Sequence, residues 1–128
     1  MLFKTGWINA EETILHVTLP KQFTWEDQHQ AVREVSAEIA RVPHMVHLII
    51  STDGARIPRG NPFPHFRFLI HSLPDNTGAV IVVGAGQYER TILYAFLQVT
   101  RSLGGTKSYI VDTMDEALVL LQADDANV

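Results

Sequence analysis

The chain has 128 residues, a net charge of −4 at pH 7 and no cysteine. This length suits one domain with a substantial core and is too short for two. The missing cysteines exclude disulfides, thiolate nucleophiles and cysteine zinc sites. The mild acidity argues against nucleic acid or an anionic membrane as the main partner. Residues 1–7 lack a signal-peptide pattern and no apolar run reaches membrane length, so the cytoplasm is the expected location.

The first third of the chain predicts a hairpin followed by an amphipathic helix. Two short runs, residues 3–8 and 13–19, are joined by a polar segment, which is typical of antiparallel strands. Thr24 and Asp27 have the spacing of a helix cap, and Pro43 ends the helix. Apolar residues recur between them at helical spacing: Trp25, Val32, Val35, Ile39 and Val42.

The middle of the chain predicts a buried strand, a loop and a second helix. Residues 45–50 are nearly all apolar, as in a strand covered on both faces. A loop rich in glycine, proline and arginine follows at residues 51–60. Asn61 as the cap and Pro62 at the first helical position open the second helix. Its predicted core face consists of Phe63, Phe66, Leu69, Ile70 and Leu73.

The last third repeats the strand–helix pattern twice. Strand 80–83 leads through Gly84-Ala85-Gly86 into a third helix, which Gly104-Gly105 ends. Strand 108–111 precedes a capping box at residues 113–116 and a final helix, with a frayed tail at residues 123–128. The sequence therefore predicts one α/β domain over residues 1–128, of order β-β-α-β-α-β-α-β-α. Its mixed sheet is mainly parallel, with an antiparallel hairpin at the N-terminus.

Four short motifs spread over nearly the whole chain point to one family. They are Thr24-Trp25-Glu26, the strand 46–50, Asn76-Thr77-Gly78 before residues 81–85, and Val111-Asp112-Thr113-Met114-Asp115-Glu116-Ala117. Together with the element order, they resemble the STAS fold of sulphate transporters and anti-sigma factor antagonists. The chain looks most like a group of stand-alone bacterial relatives that end in a similar helix.

The resemblance implies a non-enzymatic regulatory or scaffolding module. In the anti-sigma antagonists, a serine at the start of the second helix is phosphorylated and switches partner binding. The matching residues 59–63 contain neither serine nor threonine, and Ser51 and Thr52 are the nearest hydroxyls upstream. The expected module therefore lacks the family's serine switch.

No catalytic or metal-binding pattern is complete. Gly84-Ala85-Gly86 begins like a dinucleotide motif, but Glu89 holds the place of the third glycine, and its charge would repel a pyrophosphate. A tight turn is the alternative interpretation. The six histidines include no i, i+4 pair, and Ser51, Asp53 and His65 lack the elbow of a serine hydrolase. We expect no catalytic residue, metal or cofactor.

The segment between Asp53 and Asp75 is basic and contains no acid. It follows a parallel strand, at the sheet edge where such folds bind ligands, and the start of a helix adds positive potential. We therefore predict a loop that binds an anion or a partner, although solvated arginines are an equal alternative. Its candidate residues are Arg56, Arg59, Arg67 and His65.

The second and third helices carry more apolar residues than one buried face needs. If Phe63 and Phe66 face the sheet, Phe68 points away from it. If Ile92, Phe96, Val99 and Leu103 face the sheet, other large residues point outwards beside arginines. Aromatic residues mixed with arginine are typical of interface cores. The predicted interface consists of Phe68, Tyr94, Leu97, Arg90 and Arg101.

Two functional hypotheses follow, and an enzyme is a third that no constellation requires. The first is a STAS-type module that binds another protein or itself through these helix faces and the arginine-rich loop. The second is a small carrier of an anionic or amphipathic ligand, such as a lipid or nucleotide. The carrier hypothesis predicts a concave apolar pocket beside residues 56–67.

Overall fold

A computed structural model describes residues 3–102 and 107–126 of the chain. It confirms the α/β class and the predicted order of elements. The elements are β1 (Lys4–Trp7), β2 (Ile14–Thr18), α1 (Trp25–Ala40), β3 (Val46–Ser51), α2 (Phe63–Ser72), β4 (Thr77–Val83), α3 (Gln87–Ser102), β5 (Ser108–Val111) and α4 (Met114–Ala126).

The five strands form one sheet in the order β1-β2-β3-β4-β5. The β1–β2 pair is antiparallel and the other three pairs are parallel. Each parallel strand therefore lies beside its predecessor, and every crossover advances in the same direction. Because such crossovers are right-handed, α1, α2 and α3 lie on one face of the sheet. The other face is left to α4.

Helix α1 is firmly anchored to the three-helix face. The Thr24 hydroxyl accepts the Asp27 amide at 3.0 Å and the Asp27 carboxylate accepts the Thr24 amide at 3.0 Å, which confirms the predicted cap. The inner side of the helix is buried against the sheet and includes Val35 and the fully buried Ile39. Their partners in this core include the fully buried Val46 of β3.

Helix α4 forms a second core on the opposite face. Ala117 and Leu121 pack there against Ile49, Ile81 and Val83 of the two central strands. At the helix start, Thr113 accepts the amide of Glu116 at 3.2 Å, as the capping box predicts. The helix continues through Ala126, into the segment predicted to fray.

Helix α2 differs from both of these helices. None of its residues is buried, and its N-terminal residue Pro62 makes no side-chain cap bond. The helix begins one residue later than predicted, and the Asn61 side chain accepts the Phe63 amide at 3.1 Å just before it. The predicted glycine cap of α3, residues 104–105, lies outside the described residues.

Candidate functional site

An apolar cavity of about 150 Å³ lies between the sheet and the three helices on its face. Its floor consists of the side chains of β2, β3 and β4 that face these helices, among them Val17, Leu48 and Val80. Its walls come from α1, α2 and α3. Nearly all of the lining is aliphatic or aromatic, and the wall residues include Val32, Val35, Phe66, Leu69, Leu93 and Phe96.

The cavity exists because α2 covers this part of the sheet without filling the space beneath it. Phe63 and Phe66 make edge-to-face contacts with Phe96 of α3, with ring centroids 5.9 and 5.4 Å apart. These rings join the two helices above the sheet. The predicted core face of α2 therefore does point inwards, but it faces a space as well as other side chains.

Leu97 belongs to this wall, and its predicted outward orientation is wrong. It is half-buried and lines the cavity. The inward stripe of α3 runs through Leu93, Phe96 and Leu97, and is thus rotated about the helix from the stripe predicted through Ile92 and Phe96. Phe96 belongs to both stripes, so the spacing of apolar residues alone could not show which of the two stripes faces the sheet.

An open, more polar cleft of about 650 Å³ adjoins the cavity at the carboxyl ends of β3 and β4. Its lining comes from residues 54–57 and from the turn into α3. Four residues line both spaces: Ala55, Arg56, Ile57 and Glu89. The combined site therefore has an apolar interior and a polar outer part, with one positive and one negative side chain at the junction.

The glycine turn beside the cleft is built for tight packing. Gly84 has φ +77°, and a Cβ there would lie 3.1 Å from an oxygen of Asp53. A Cβ on Gly86 would lie 2.7 Å from an oxygen of Glu89. The Glu89 carboxylate thus lies over the turn where a dinucleotide phosphate would bind. This placement supports the interpretation of the glycines as a strand-to-helix turn.

The structure separates the four residues of the predicted anion-binding loop. Arg56 is exposed and lines both the cavity and the cleft. Arg59 and Arg67 are exposed and line neither, and the Arg59 carbonyl accepts the indole N–H of Trp25 at 2.9 Å. His65 is half-buried against α1. Of the residues that line both the cavity and the cleft, the sequence analysis thus predicted Arg56 as a site residue and missed Ile57 and Glu89.

A cluster of rings joins α2 to α1. The His65 ring stacks on Trp25 with centroids 4.2 Å apart and planes 9° apart. His65 Nδ1 lies 2.8 Å from His29 Nε2, and His29 in turn stacks on Phe68 at 4.2 Å. Sequence reasoning missed His29. His29 could have been found from its position four residues after Trp25, because this spacing places both rings on the same side of α1.

The predicted interface residues have different surroundings in the structure. Phe68 points away from the cavity but is half-buried on His29, with the Arg33 guanidinium carbon 5.8 Å from its ring centroid. Tyr94 is 48% exposed. Arg90 forms an ion pair with Asp112. Arg101 lies in α3, and its side chain is outside the described part of the structure.

A Ser–His contact lies on the α4 side of the sheet. Ser51 Oγ is 2.7 Å from His16 Nε2, and burial, partly opposed by the charge of Asp53, lowers the pKa of His16. Neither of these two residues lines the cavity or the cleft. His65, the histidine considered with Ser51 from the sequence, instead contacts α1. Ser51 and Thr52 are both buried, and Thr52 Oγ1 donates to the Val83 carbonyl.

Two further kinds of site were sought within residues 3–102 and 107–126. Among these residues, no group of three or more histidine or acidic side chains is placed to hold a metal ion. No described helix has both the length and the hydropathy needed to span a bilayer.

Comparison of the chain with protein-family models, with curated proteins and with solved structures gives no significant match. The STAS resemblance therefore remains a prediction from the sequence motifs and the element order.

Proposed function

We propose that this protein is a non-enzymatic binding module for a small amphipathic molecule. The apolar part of the ligand occupies the cavity beneath α2, and its polar end lies in the cleft beside Arg56. One observation carries the proposal: the cavity occupies what would otherwise be the centre of the three-helix core, beside the loop where the carrier hypothesis expects a pocket. The cytoplasm is the proposed location.

The cavity has a substantial energetic cost when empty. At about 24 cal/mol per Å³, an enclosed void of 150 Å³ costs about 4 kcal/mol, which is the upper limit for a cavity that opens towards a cleft. Domains of this size are stable by only about 5–15 kcal/mol in total. An apolar group that fills the void restores dispersion contacts and leaves water, and both effects favour binding.

The dimensions of the site restrict the ligand. A dry cavity of 150 Å³ holds a group of about the size of benzene. Whole small-molecule sites usually measure about 300–1,000 Å³. A larger ligand must therefore extend into the adjoining cleft, where Arg56 offers a planar donor for a carboxylate or phosphate. Glu89 disfavours an anion on the α3 side of the junction, so the head group is assigned to the Arg56 side.

Binding of a neutral fluorescent naphthylamine tests the proposal directly. We expect saturable binding to the wild type, and loss of binding in Leu97→Trp, because an indole at this position fills the cavity. Val119→Trp is the matched control, since Val119 is 63% exposed on α4. Absence of binding to the wild type, or equal binding to both variants, would refute the cavity as the site.

A second pair of variants tests the orientation of the ligand. Arg56→Gln should weaken binding of a medium-chain fatty acid about tenfold and leave binding of the naphthylamine unchanged, because only the fatty acid carries an anionic head. Arg67→Gln removes an equally exposed arginine that lines neither space. An equal effect of both substitutions would indicate general charge attraction and contradict the assigned orientation.

The regulatory module of STAS type is the second candidate function. Tyr88 is 68% exposed and Tyr94 48% exposed on α3, which leaves two aromatic side chains free of the core on one helix. Exposed tyrosines are typical of interface cores. Light scattering tests self-association: the candidate predicts a dimer mass that falls to that of one chain in Tyr88→Ser/Tyr94→Ser. A single-chain mass for the wild type would remove self-association as the function.

A further inference from the structure

Helix α2 is the helix of the cavity wall that has no buried residue. The side-chain bond at its start is the one from the Phe63 amide to the Asn61 oxygen. Its contacts with α3 include two edge-to-face aromatic pairs. The cavity beneath it holds only part of a ligand, and the rest extends into the adjoining cleft. Because no side chain of α2 is buried, a movement of this helix away from the sheet exposes no fully buried side chain of its own.

The contacts between α2 and α1 are concentrated at His65. Its ring stacks on Trp25, its Nδ1 lies 2.8 Å from His29 Nε2, and its carbonyl accepts the Gln28 amide at 3.2 Å. Phe68, one turn further on, stacks on His29. The hydrogen bond between the two histidine rings therefore lies at the centre of the α1–α2 contact, with an aromatic ring on either side.

We infer that α2 is a lid over the cavity and that the His29–His65 pair is an acid-sensitive clasp, which holds the lid closed at neutral pH and releases it in acid. This inference rests on the proposed function, since it assigns a regulation to the same site.

The chemistry of the pair explains the direction of the switch. Between two neutral imidazoles, one ring nitrogen donates and the other accepts. One proton can be shared, because a protonated ring still donates to its neutral neighbour. A second proton makes both nitrogens donors, so the bond is lost and two positive charges face each other at 2.8 Å. The clasp therefore opens when both rings are charged.

The surroundings provide no acid that neutralises this charge. Burial, and then the charge of His29, lower the pKa of His65. The charged side chains are Arg67 on α2, Arg59 in the preceding loop, and on α1 Glu26, Asp27, Arg33, Glu34 and Glu38. Asp27 is engaged in the cap of α1, and Glu26 is exposed. In the described contacts, no carboxylate bonds either histidine ring. Stacking on Trp25 favours one charged ring, but it does not relieve the repulsion between two.

The sign of the effect follows from linkage. A pKa lowered in the closed state means that closed α2 binds fewer protons than open α2. The closed state is therefore fully favoured above the ordinary histidine value of 6.5 and loses stability as the pH falls below it. Release is expected as the pH falls below about 6.5.

A thiol placed beneath the lid tests the inference without any ligand. The chain has no cysteine, so Leu69→Cys puts a single thiol on the cavity wall. His71→Cys puts one on the exposed side of the same helix. Dividing the reaction rate of the first with dithiodipyridine by that of the second cancels the pH dependence of the reagent. We expect this ratio to rise as the pH falls from about 7.5 to about 5, because the closed state binds fewer protons than the open state.

To test whether the two histidines form the clasp, the rates of both cysteine variants are measured again in proteins that also carry His29→Gln/His65→Gln. These substitutions should abolish the pH dependence of the ratio. A constant ratio in the parent, or an unchanged pH response in the double variant, would overturn the inference.

Release of the naphthylamine separates the two proposals. If the lid and the cavity act together, the probe dissociates faster at about pH 5 than at about pH 7.5 in the wild type, and at a pH-independent rate in His29→Gln/His65→Gln. If the thiol ratio responds to pH and the probe never binds, the proposed function fails and the lid stands. If the probe binds and neither quantity responds to pH, the lid fails and the proposed function stands.

Discussion

The two faces of the sheet are covered in different ways. On one face, the single helix α4 packs closely, and the residues at its centre, Ile81 of β4 and Ala117 of α4, are fully buried. On the other face, three helices cover a larger area, and among the described side chains α1 contributes four buried residues, α3 one and α2 none. Helix α2 lies between α1 and α3 above a cavity. Close packing thus stabilises the fold on one face, and incomplete packing on the other provides a space for a ligand.

The largest expected effect comes from truncating one side chain on each face. Ile81→Ala should destabilise the protein by about 3–4 kcal/mol, because it opens a new cavity in a filled core. Leu69→Ala on α2 should cost only about 1 kcal/mol, since this half-buried side chain already borders an empty space. Urea unfolding measures both values. Equal losses would contradict the difference between the two faces.

Sequence patterns predicted the element order because each element carries its own local signal. The capping residues Thr24 and Thr113, the apolar strand at 46–50 and the Pro62 helix start are all readable within a few residues. Periodicity also showed which side of α2 faces inwards. It could not show how far the helix stands from the sheet, because side chains from three separate elements set that distance.

The candidate site depends on contacts that no local pattern contains. His29 and His65 are 36 residues apart, and His16 and Ser51 are 35 residues apart. The basic segment led to Arg56 because positive charges cluster along the sequence there. Arg56 and Glu89 line the same part of the site because the sheet order places the ends of β3 and β4 side by side.

A smaller effect is expected from the helix starts on the three-helix face. Thr24→Ala removes the hydroxyl that accepts the Asp27 amide and should cost about 1 kcal/mol, because α1 is part of the core. Asn61→Ala removes the bond before α2 and should cost only a few tenths of a kcal/mol, since global unfolding depends little on a helix without buried residues. A loss at Asn61 as large as that at Thr24 would show that α2 belongs to the cooperative core.

The smallest effect concerns the two histidines with lowered pKa, which lie on opposite faces. Burial lowers the pKa of His16, so the folded protein binds fewer protons than the unfolded chain, and stability falls as the pH decreases below about 6.5. His16 lies in the sheet itself, where it contacts Ser51 of β3. His16→Gln should therefore flatten the pH dependence of global unfolding measured with urea and leave the thiol ratio of Leu69→Cys unchanged.

His29→Gln/His65→Gln should have the larger effect on the thiol ratio, because opening of a lid is local. His71→Gln, which replaces an exposed histidine, is the control for the urea measurement. If His16→Gln changed the thiol ratio, movement of α2 would be coupled to the sheet, and the two faces would respond to acid as one unit.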